Sequence, residues 1–301
     1  DVINMGEGIK RCFICNKKNS FFKSRKVHEY RYLFCKYCSG AVLTPRSKIV
    51  KNIEDIYDEQ YFDWGAPQGI KMLLYNIYLY RSYPDWVDFG EDNKTRKVLD
   101  VGAGTPAFVT EMQDRGWEAY ALELSGVQAR KISQVIGAKK VYKGYFEETR
   151  LPNNYFDALT FWHVLEHVRY PIQTIRKANR VLKRGGTIYL EVPNVNSLAW
   201  EIFGDYYDLL RIPEHLFYFS ARSLKVLLKN MSFKVLEVSY PLKLNSTYSA
   251  SLSKFVKAKT KSSRLALLSF YFALPISFFL SLATSLFGRS EILRVSAIKI
   301  S

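Results

Sequence analysis

Acidic residues are scarce in this chain of 301 residues, and one long stretch lacks them altogether. Asp and Glu number 28 against 44 Lys and Arg, for a formal net charge of +16, and no acid occurs between Val238 and Ser290. A surplus of this kind favours an anionic partner, such as a phosphate-bearing substrate, a lipid surface or nucleic acid. A generally basic proteome would produce the same surplus.

A signal peptide is also missing from the expected place. The first residues contain no short apolar run behind a basic start, which argues against secretion. We therefore expect a cytoplasmic protein, in which stable disulfides are rare.

Cysteine is rare as well, but its four residues form two pairs. Cys12 and Cys15 make one Cys-x-x-Cys turn, Cys35 and Cys38 make another, and nineteen residues separate them. Each turn offers two thiolates on one side, which is what a tetrahedral zinc site needs. Four unrelated buried thiols or two disulfides are the alternatives. We predict a zinc ribbon over residues 1–45, whose structural zinc contributes on the order of 10 kcal/mol to its folding.

Residues 46–95 differ in composition from the segments on either side. Pro, Gly and charged residues mix over residues 44–69, which is typical of a boundary, and IKMLLYNIYLYRSY then places apolar and Tyr residues at helical spacing. We interpret this region as a linker and a helix, which either packs as core or covers a pocket as a lid.

From Lys97 onward, strand patterns alternate with helix patterns. The chain passes from KVLDVGAG to WEAYALEL, AKKVYKG, FDALTFWHV and TIYLEVPN as strands, and the helix before the last of these is expected to end at its glycine pair. Pro106 suits a first helical turn, and Ser125 with Gln128 suits a capping box. This alternation predicts a doubly wound, Rossmann-like α/β sheet over residues 96–301.

The chemistry of such a sheet lies at the carboxyl ends of its strands. Gly102 and Gly104 let a ligand approach the backbone, and the helix start behind them offers free N–H groups to an anion. Glu123 ends the second strand, where a carboxylate can accept both hydroxyls of a ribose. These residues predict a nucleoside cofactor. The glycines alone leave its type open, because GAGTPA also fits the G-x-G-x-x-A of a dinucleotide dehydrogenase.

Longer motifs decide between these cofactors. Five segments of the chain follow the order and spacing of class I S-adenosylmethionine-dependent methyltransferases. They are VLDVGAG, ALELS, FDALTFWHVLEHVRYP, RVLKRGGTIYLEVPN and PEHLFYFSARSLKVLLKNMSFKVLEV. The chain resembles most the branch of ubiquinone-biosynthesis O-methyltransferases and their relatives with an N-terminal zinc ribbon. These relatives are associated with surface glycans and sugar-bearing natural products. The resemblance includes the segment YDEQYF after the ribbon. The resemblance implies a seven-stranded methyltransferase sheet whose last two strands are antiparallel.

The resemblance also implies which residues bind S-adenosylmethionine. Asp100, Gly102 and Gly104 match the loop that holds its methionine portion, and Glu123 matches the acid that binds its ribose. Pro106 replaces the third glycine of this loop, which stiffens the turn.

A second departure from the family concerns adenine. This chain has Gly144-Tyr145 where relatives usually carry Gly-Asp, so the usual acidic contact to adenine is missing. We expect Tyr145, Phe146 or Glu147 to replace it.

Methyl transfer to an alcohol requires a proton acceptor, and histidine is the natural base near neutral pH. His215 in PEHLFYF, expected to roof the substrate, is the first candidate, and His163 in WHVLEHV is the second; His28 belongs to the ribbon. Each could instead be a hydrogen-bonded structural residue. In some ubiquinone-pathway relatives an E-x-x-E-H stretch binds a divalent metal, and the resemblance places such a site at His163, Glu166 and His167.

The longest apolar run, Leu265 to Phe287, contains 23 residues without a charge, enough to cross a bilayer. It lies between two strand patterns, residues 232–240 and 291–300, which the resemblance pairs with each other. A single crossing would separate these strands by the bilayer, so we expect the segment not to cross.

A helical hairpin fits this segment better. Pro275 is expected to divide the run into two arms of about ten residues each. Five basic residues between Lys254 and Arg264 suit anionic headgroups. We predict a hydrophobic helical insert over residues 254–288, before the last strand, that lies on the inner leaflet; packing against the sheet or a second subunit is the alternative.

These expectations describe an enzyme that transfers a methyl group to a small or lipid-linked acceptor, with a sugar hydroxyl in glycan or related biosynthesis favoured. An RNA methyltransferase is an alternative suggested by the basic ribbon, but the sequence lacks a recognisable RNA-binding motif. A non-catalytic scaffold that binds the cofactor is another, against which the retained glycines and Glu123 argue. Oligomeric state and the methylated atom stay open.

Overall fold

The computed structural model describes residues 9–27, 29–44, 87, 95–241 and 247–301. These residues form a four-stranded sheet and a seven-stranded sheet. The linker and helix interpreted at residues 46–95 lie outside the described residues except for Val87 and Thr95, and so does His28.

The small sheet belongs mainly to the N-terminal module. Its first three strands are antiparallel neighbours: β1 (Phe21–Val27), β2 (Tyr30–Cys35) and β3 (Ala41–Thr44). The first Cys-x-x-Cys pair precedes β1, and the second lies at the end of β2 and in the turn before β3. This order brings both cysteine pairs to the same end of the module.

The fourth strand of the small sheet comes from a distant part of the chain. Strand β9 (Phe217–Tyr218) pairs with β3 in antiparallel fashion. The Tyr32 hydroxyl donates a hydrogen bond to the carbonyl of His215 at 2.9 Å, and the Ser220 hydroxyl donates one to the carbonyl of Cys38 at 3.0 Å. The N-terminal module is therefore joined to the rest of the protein by a shared sheet and a buried interface.

The large sheet has the strand order β10-β11-β8-β7-β4-β5-β6. Five strands are parallel: β4 (Lys97–Val101), β5 (Glu118–Glu123), β6 (Val141–Lys143), β7 (Phe156–Trp162) and β8 (Leu182–Pro193). The last strand, β11 (Ile292–Lys299), lies between β8 and β10 (Phe233–Ser239) and is antiparallel to both. This arrangement confirms the predicted seven-stranded, Rossmann-like sheet and its antiparallel last pair.

Seven helices connect the described strands. They are α1 (Ala107–Asp114), α2 (Gly126–Ile136), α3 (Pro171–Val181), α4 (Leu198–Phe203), α5 (Ala221–Asn230), α6 (Thr247–Thr260) and α7 (Ser263–Leu286). Ser125 caps α2, accepting a hydrogen bond from the N–H of Gln128 at 3.4 Å. The predicted capping box is only half formed, because the N–H of Ser125 donates to Glu123 and not to the Gln128 side chain. Ser220 and Ser223 form a reciprocal capping box at the start of α5.

One predicted boundary is wrong. Helix α3 ends at Val181, four residues before the glycine pair, because the buried Leu182 already pairs with Phe156 of β7. The segment up to the glycines forms an irregular first part of β8. Strand pairing and burial of Leu182 prevail here over the helical pattern.

The hairpin predicted within the apolar run is wrong. The run forms one helix, α7, and the hairpin consists of α7 and the preceding α6, which begins at Thr247, before the predicted insert. Helix α7 continues through Pro275 instead of dividing there. An interior proline costs about 3 kcal/mol, and packing along α6 offsets this in a helix of 24 residues. The turn lies at Lys261, which has a φ of 58°, and Ser262, which caps α7. The hairpin therefore has one short arm and one long arm.

Helix α7 buries the face that carries its small residues and exposes the face that carries its large apolar residues. The buried residues are Ala266, Ala273, Ser277, Ser281 and Thr284. Large apolar side chains cover the rest; the most exposed are Phe272 with 83% exposure and Phe287, directly after the helix, with 80%. By length and composition this helix could cross a membrane. The strands before and after the hairpin are hydrogen-bonded to each other, however, so both ends of the hairpin lie on one side of any bilayer.

Candidate cofactor and acceptor site

A cavity of about 490 Å³ opens at the carboxyl ends of β4, β5 and β7. Its wall contains Gly102 and Gly104 after β4, Glu123 at the end of β5, and Tyr145 and Phe146 after β6. The volume lies within the range of small-molecule pockets, and the place is the switch point where open α/β sheets bind ligands. The structure therefore brings these five residues to one cavity.

The glycine turn after β4 needs glycine at two positions. Gly102 has a φ of 70° and Gly104 a φ of 60°, a region that side-chain-bearing residues rarely adopt. A Cβ on Gly102 would also lie 2.6 Å from Cγ2 of Val164. The turn thus lines the cavity with backbone atoms that no side chain covers.

Glu123 is buried and held by backbone donors. Its carboxylate accepts hydrogen bonds from the N–H of Gly104 at 2.7 Å and of Ser125 at 2.8 Å. Burial raises the pKa of Glu123, and these N–H groups partly offset the rise. Each carboxylate oxygen has a second lone pair, so the fixed side chain can still accept hydroxyl groups from a ligand.

Asp100 lies beneath the glycine turn, buried in the sheet, and accepts a hydrogen bond from the Thr160 hydroxyl at 2.6 Å. Burial raises its pKa to about 7; the hydrogen bond from Thr160 opposes this rise, and the nearby Glu123 carboxylate adds to it. Of these two acids only Glu123 lines the cavity. Asp100, predicted to bind the cofactor, lies behind the wall, where it contacts Thr160.

Aromatic rings occupy the side of the cavity where the acidic adenine contact is missing. Phe146 is buried and packs edge-on against Phe161, with 5.4 Å between ring centroids. The Arg169 guanidinium lies 5.2 Å from the ring centroid of Tyr145. Tyr145 and Phe146 thus supply the aromatic part of the cavity wall on this side.

His163 reaches the cavity from the end of β7. Its side chain is 34% exposed, and its backbone has the unusual φ of 56°. Nε2 lies 2.8 Å from Oε1 of Glu191 and Nδ1 lies 3.3 Å from Oε1 of Glu166, and both carboxylates are fully buried. The Arg294 guanidinium contacts the other oxygen of Glu191 at 2.6 Å. The two buried carboxylates therefore fix the orientation of the imidazole, and Arg294 holds Glu191 in place.

His215 does not have the position that we expected from the sequence. It is buried, it is absent from the cavity wall, and its Nδ1 lies 3.1 Å from the Tyr218 hydroxyl. The reason is that the following strand β9 pairs with the N-terminal module, which covers this segment. His215 therefore lies behind His167, whose ring centroid is 4.7 Å away.

The metal ligands implied by the resemblance do not converge as a set. Both ring nitrogens of His163 face carboxylates, and its side chain is not part of the group that comes together. The residues that do converge are Glu166, His167 and His215, whose ligand atoms all lie within 4.8 Å of one another. His167 also lines the cavity.

Two residues near His163 were not predicted from the sequence. Glu191 carries a charge inside the otherwise apolar strand TIYLEVPN, which is a signal that could have marked it. Arg294 could not have been found in this way, because its register opposite Glu191 follows from the position of β11 beside β8.

The four cysteines lie together at the end of the small sheet. All four are buried; the Sγ atoms of Cys12 and Cys38 are 3.8 Å apart, and those of Cys15 and Cys35 are 3.6 Å apart. A tetrahedron with Zn–S bonds of about 2.3 Å has edges of about 3.8 Å. The spacing of these thiols therefore fits a zinc ion.

Comparison with known proteins places this site in a family. A protein-family model described as a methyltransferase domain matches residues 75–238. The ubiquinone biosynthesis O-methyltransferase of Dechloromonas aromatica is 30% identical over 169 residues, which cover 53% of this chain and 71% of that enzyme. The enzyme of the same name from Pseudomonas aeruginosa is 28% identical over 137 residues, which cover 43% of this chain and 59% of that enzyme.

The fold also occurs in solved structures. A chain from the complex of the Haloferax volcanii Trm112 methyltransferase activator with a methyltransferase aligns with a TM-score of 0.51 and 14% identity, covering 80% of this chain and 98% of its own. This likeness concerns the fold. The family match over more than half of the chain leads to one conclusion: the chain belongs to the methyltransferase domain family and is an S-adenosylmethionine-dependent methyltransferase.

Proposed function

We propose that this enzyme methylates a hydroxyl group on a small or lipid-linked acceptor, and that a sugar hydroxyl in glycan or related biosynthesis is the favoured acceptor. The observation that supports this most is the position of the apolar hairpin. Strand β11 is antiparallel to β8 with Ile292 opposite Pro193, so the hairpin enters the sheet at its carboxyl edge, which also carries the cavity. An acceptor anchored in a membrane would then meet the cavity without leaving the lipid surface.

A second candidate acceptor is a hydroxyl in ubiquinone biosynthesis. The names of the curated relatives favour it, and they also favour transfer to oxygen. Both candidates require the same chemistry at the cavity.

The residues of the cavity fit S-adenosylmethionine. Glu123 would accept the ribose hydroxyls, the turn at Gly102 and Gly104 would lie against the methionine portion, and Tyr145 and Phe146 would contact the adenine. S-adenosylmethionine supplies a methyl group on a sulfonium, which is already a good leaving group. The remaining task of the protein is to hold the acceptor in line and to take its proton.

His163 is the better placed of the two histidines for this proton transfer. It lines the cavity, whereas His215 does not. In the neutral ring, Nε2–H would donate to Glu191 at 2.8 Å, and Nδ1 would take the proton of the acceptor hydroxyl. The Glu166 carboxylate, 3.3 Å from Nδ1, and Glu191 would then stabilise the imidazolium. We therefore place His163 first and His215 second, which reverses the order expected from the sequence.

The exposed face of α7 supports a peripheral position on an anionic membrane. In water, its exposed Phe and Leu side chains would form an apolar patch of a kind that soluble monomers rarely show. Lys254, one of the five basic residues near the hairpin turn, is paired with Asp208 at 2.7 Å. Lys257 and Lys259 on α6 and Arg264 at the start of α7 belong to the same set. Each can contribute about 1 kcal/mol near anionic headgroups. We propose that the hairpin inserts its apolar face into the cytoplasmic leaflet.

The cysteine cluster supports a structural zinc. Four thiolates complete a tetrahedral coordination sphere and leave no position for a substrate. Because Ser220 bonds to the carbonyl of Cys38, this zinc would also stabilise the attachment of the N-terminal module to the segment that carries His215.

Binding of S-adenosylmethionine should depend on Glu123. Glu123→Gln keeps the shape of the side chain but removes a charged acceptor, so we expect affinity to fall about 10- to 150-fold, equivalent to about 1.5 to 3 kcal/mol. Isothermal titration calorimetry measures this. Glu118→Gln, on the same strand and paired with Lys97 at 2.8 Å, is the matched control and should bind normally. Binding of NADH in place of S-adenosylmethionine by the wild type would contradict the assignment.

Methyl transfer should depend on His163. A screen with tritiated S-adenosylmethionine and cell fractions should label a lipid or glycan fraction, and His163→Gln should lower the rate by about 10² to 10⁴. Affinity for S-adenosylmethionine should change little, because the histidine acts on the acceptor.

Two outcomes would count against this proposal. Label found in RNA would favour the RNA methyltransferase, which the basic ribbon suggested. An equal loss of turnover and cofactor affinity in His163→Gln would assign the histidine a purely structural role.

Zinc content should depend on the cysteines. We expect one zinc per chain that resists dialysis against EDTA, and we expect Cys15→Ser with Cys38→Ser to lose it and to unfold at a lower temperature, because zinc supplies much of the module's folding free energy. Elemental analysis and thermal denaturation measure both. Tyr37→Ser, an exposed change in the same turn, is the control. A double mutant that kept both zinc and stability would show the ribbon assignment to be wrong.

Membrane binding should depend on the exposed rings of α7. The wild type should float with phosphatidylglycerol-containing liposomes, and the triple change Phe272→Ser, Phe279→Ser and Phe287→Ser should abolish flotation without unfolding, because these side chains are exposed. Phe22→Ser, an exposed ring on the ribbon, is the control and should still float. Failure of the wild type to float, with a dimer in solution that the triple change dissociates, would identify the face as a subunit interface.

A further inference from the structure

The loop after β6 carries Tyr145 and Phe146, the two rings that we assign to the adenine. It begins at Gly144, whose φ of 129° is rarely adopted by residues with a side chain. Within the loop, the N–H groups of Glu148 and Thr149 and the Thr149 hydroxyl all donate to the carbonyl of Tyr145, at 3.1, 3.0 and 2.8 Å. These hydrogen bonds close a compact turn, but they do not attach it to the rest of the protein.

Helix α3 attaches this loop through Lys177. The residue is 8% exposed, and its ammonium group donates hydrogen bonds to the carbonyl of Glu147 at 3.1 Å and to the carbonyl of Thr149. The same ammonium lies 5.4 Å from the ring centroid of Phe146. All three contacts are made with the loop, so Lys177 joins the loop backbone to a helix that is packed on the sheet.

Thr174 makes a second attachment from the same face of α3, because residues three apart on a helix are neighbours. Its buried hydroxyl lies within hydrogen-bond distance of the Glu147 carboxylate and of the Tyr170 carbonyl, the latter at 3.1 Å. The charged oxygen is the stronger acceptor of the two. Thr174 therefore holds the side chain of Glu147, and Lys177 holds its backbone.

Burial makes the position of Lys177 depend on the loop. A buried ammonium group costs free energy unless acceptors surround it. Burial lowers the pKa of Lys177, and Arg180 adds to this effect, whereas the carboxylates of Glu147 and Glu148 oppose it. If the loop left its position, the ammonium would lose both carbonyl acceptors. Lys177 thus stabilises the one position of the loop in which its residues line the cavity.

We propose that Lys177, together with Thr174, is a positioning residue for S-adenosylmethionine, because it holds the loop after β6 where Tyr145 and Phe146 form one side of the cavity. The cavity wall does not include Lys177, so it acts through the loop. The proposal rests on the assignment of these two rings to the adenine. Without Lys177 the loop would populate other positions, and the apparent affinity would fall in proportion to the fraction that stays competent to bind.

Calorimetric titration of the full chain with S-adenosylmethionine tests the proposal. Lys177→Met keeps a long unbranched side chain without the charge and should weaken binding about 10- to 100-fold, as expected when only a small fraction of the loop stays competent. Thr174→Val removes only the hydroxyl and should weaken binding about 3- to 10-fold. Arg176→Met removes an exposed cation from the same helix and is the matched control, which should bind normally.

A double-mutant cycle distinguishes positioning from a general loss of stability. Tyr145→Ala should weaken binding by itself, because it removes a ring that the loop presents. Lys177→Met acts through the same loop, so the two changes together should weaken binding by less than the product of their separate effects. A residue that only supported the fold would give independent effects that multiply.

The outcomes distinguish this proposal from the assignment on which it rests. Normal binding by Tyr145→Ala would contradict the adenine assignment. Weak binding by Tyr145→Ala with normal binding by Lys177→Met would overturn the positioning role alone, and so would effects that multiply in the double mutant. If Lys177→Met did not fold, Thr174→Val would decide, because normal affinity in that variant also overturns the proposal.

Discussion

The position of β11 between β8 and β10 is the constraint on which most of this structure depends. Because β11 is antiparallel to β8, Arg294 lies opposite Glu191, and the guanidinium neutralises a carboxylate that would otherwise be costly to bury. That carboxylate in turn holds His163 at the cavity. The same pairing requires the chain to return to the carboxyl edge of the sheet before β11 begins, so the hairpin of α6 and α7 emerges beside the site.

The N-terminal module affects the site through strand β9. Pairing of β9 with β3 buries the segment before it, and the Tyr32 hydroxyl bonds to the backbone of His215. A histidine that would be available to substrate in an uncovered segment therefore becomes part of a closed group with Glu166 and His167. The N-terminal module thus helps to decide which histidine reaches the cavity.

The hairpin shows how an apolar run can be long enough to cross a bilayer and still be held on one side. Its ends are fixed by hydrogen bonds between β10 and β11, and this requirement outweighs any preference of the run itself. Helix α7 turns its small residues toward the protein and its rings outward, which is the reverse of a soluble surface helix. Pro275 does not interrupt the helix, since packing against α6 compensates for the missing backbone hydrogen bond.

The sequence by itself determined the elements that depend on local pattern: the strands, the glycine turn, the cap at Ser125, the cysteine pairs and the acid at Glu123. Each follows from spacing, backbone freedom or burial within a few residues. The tertiary structure decided which distant side chains meet, namely Glu191 with Arg294 and His167 with His215. It also moved the end of α3 and the turn of the hairpin, because pairing and packing outweighed local preference there. Contacts between residues far apart in the chain depend on strand order and register, which the pattern of one strand does not contain.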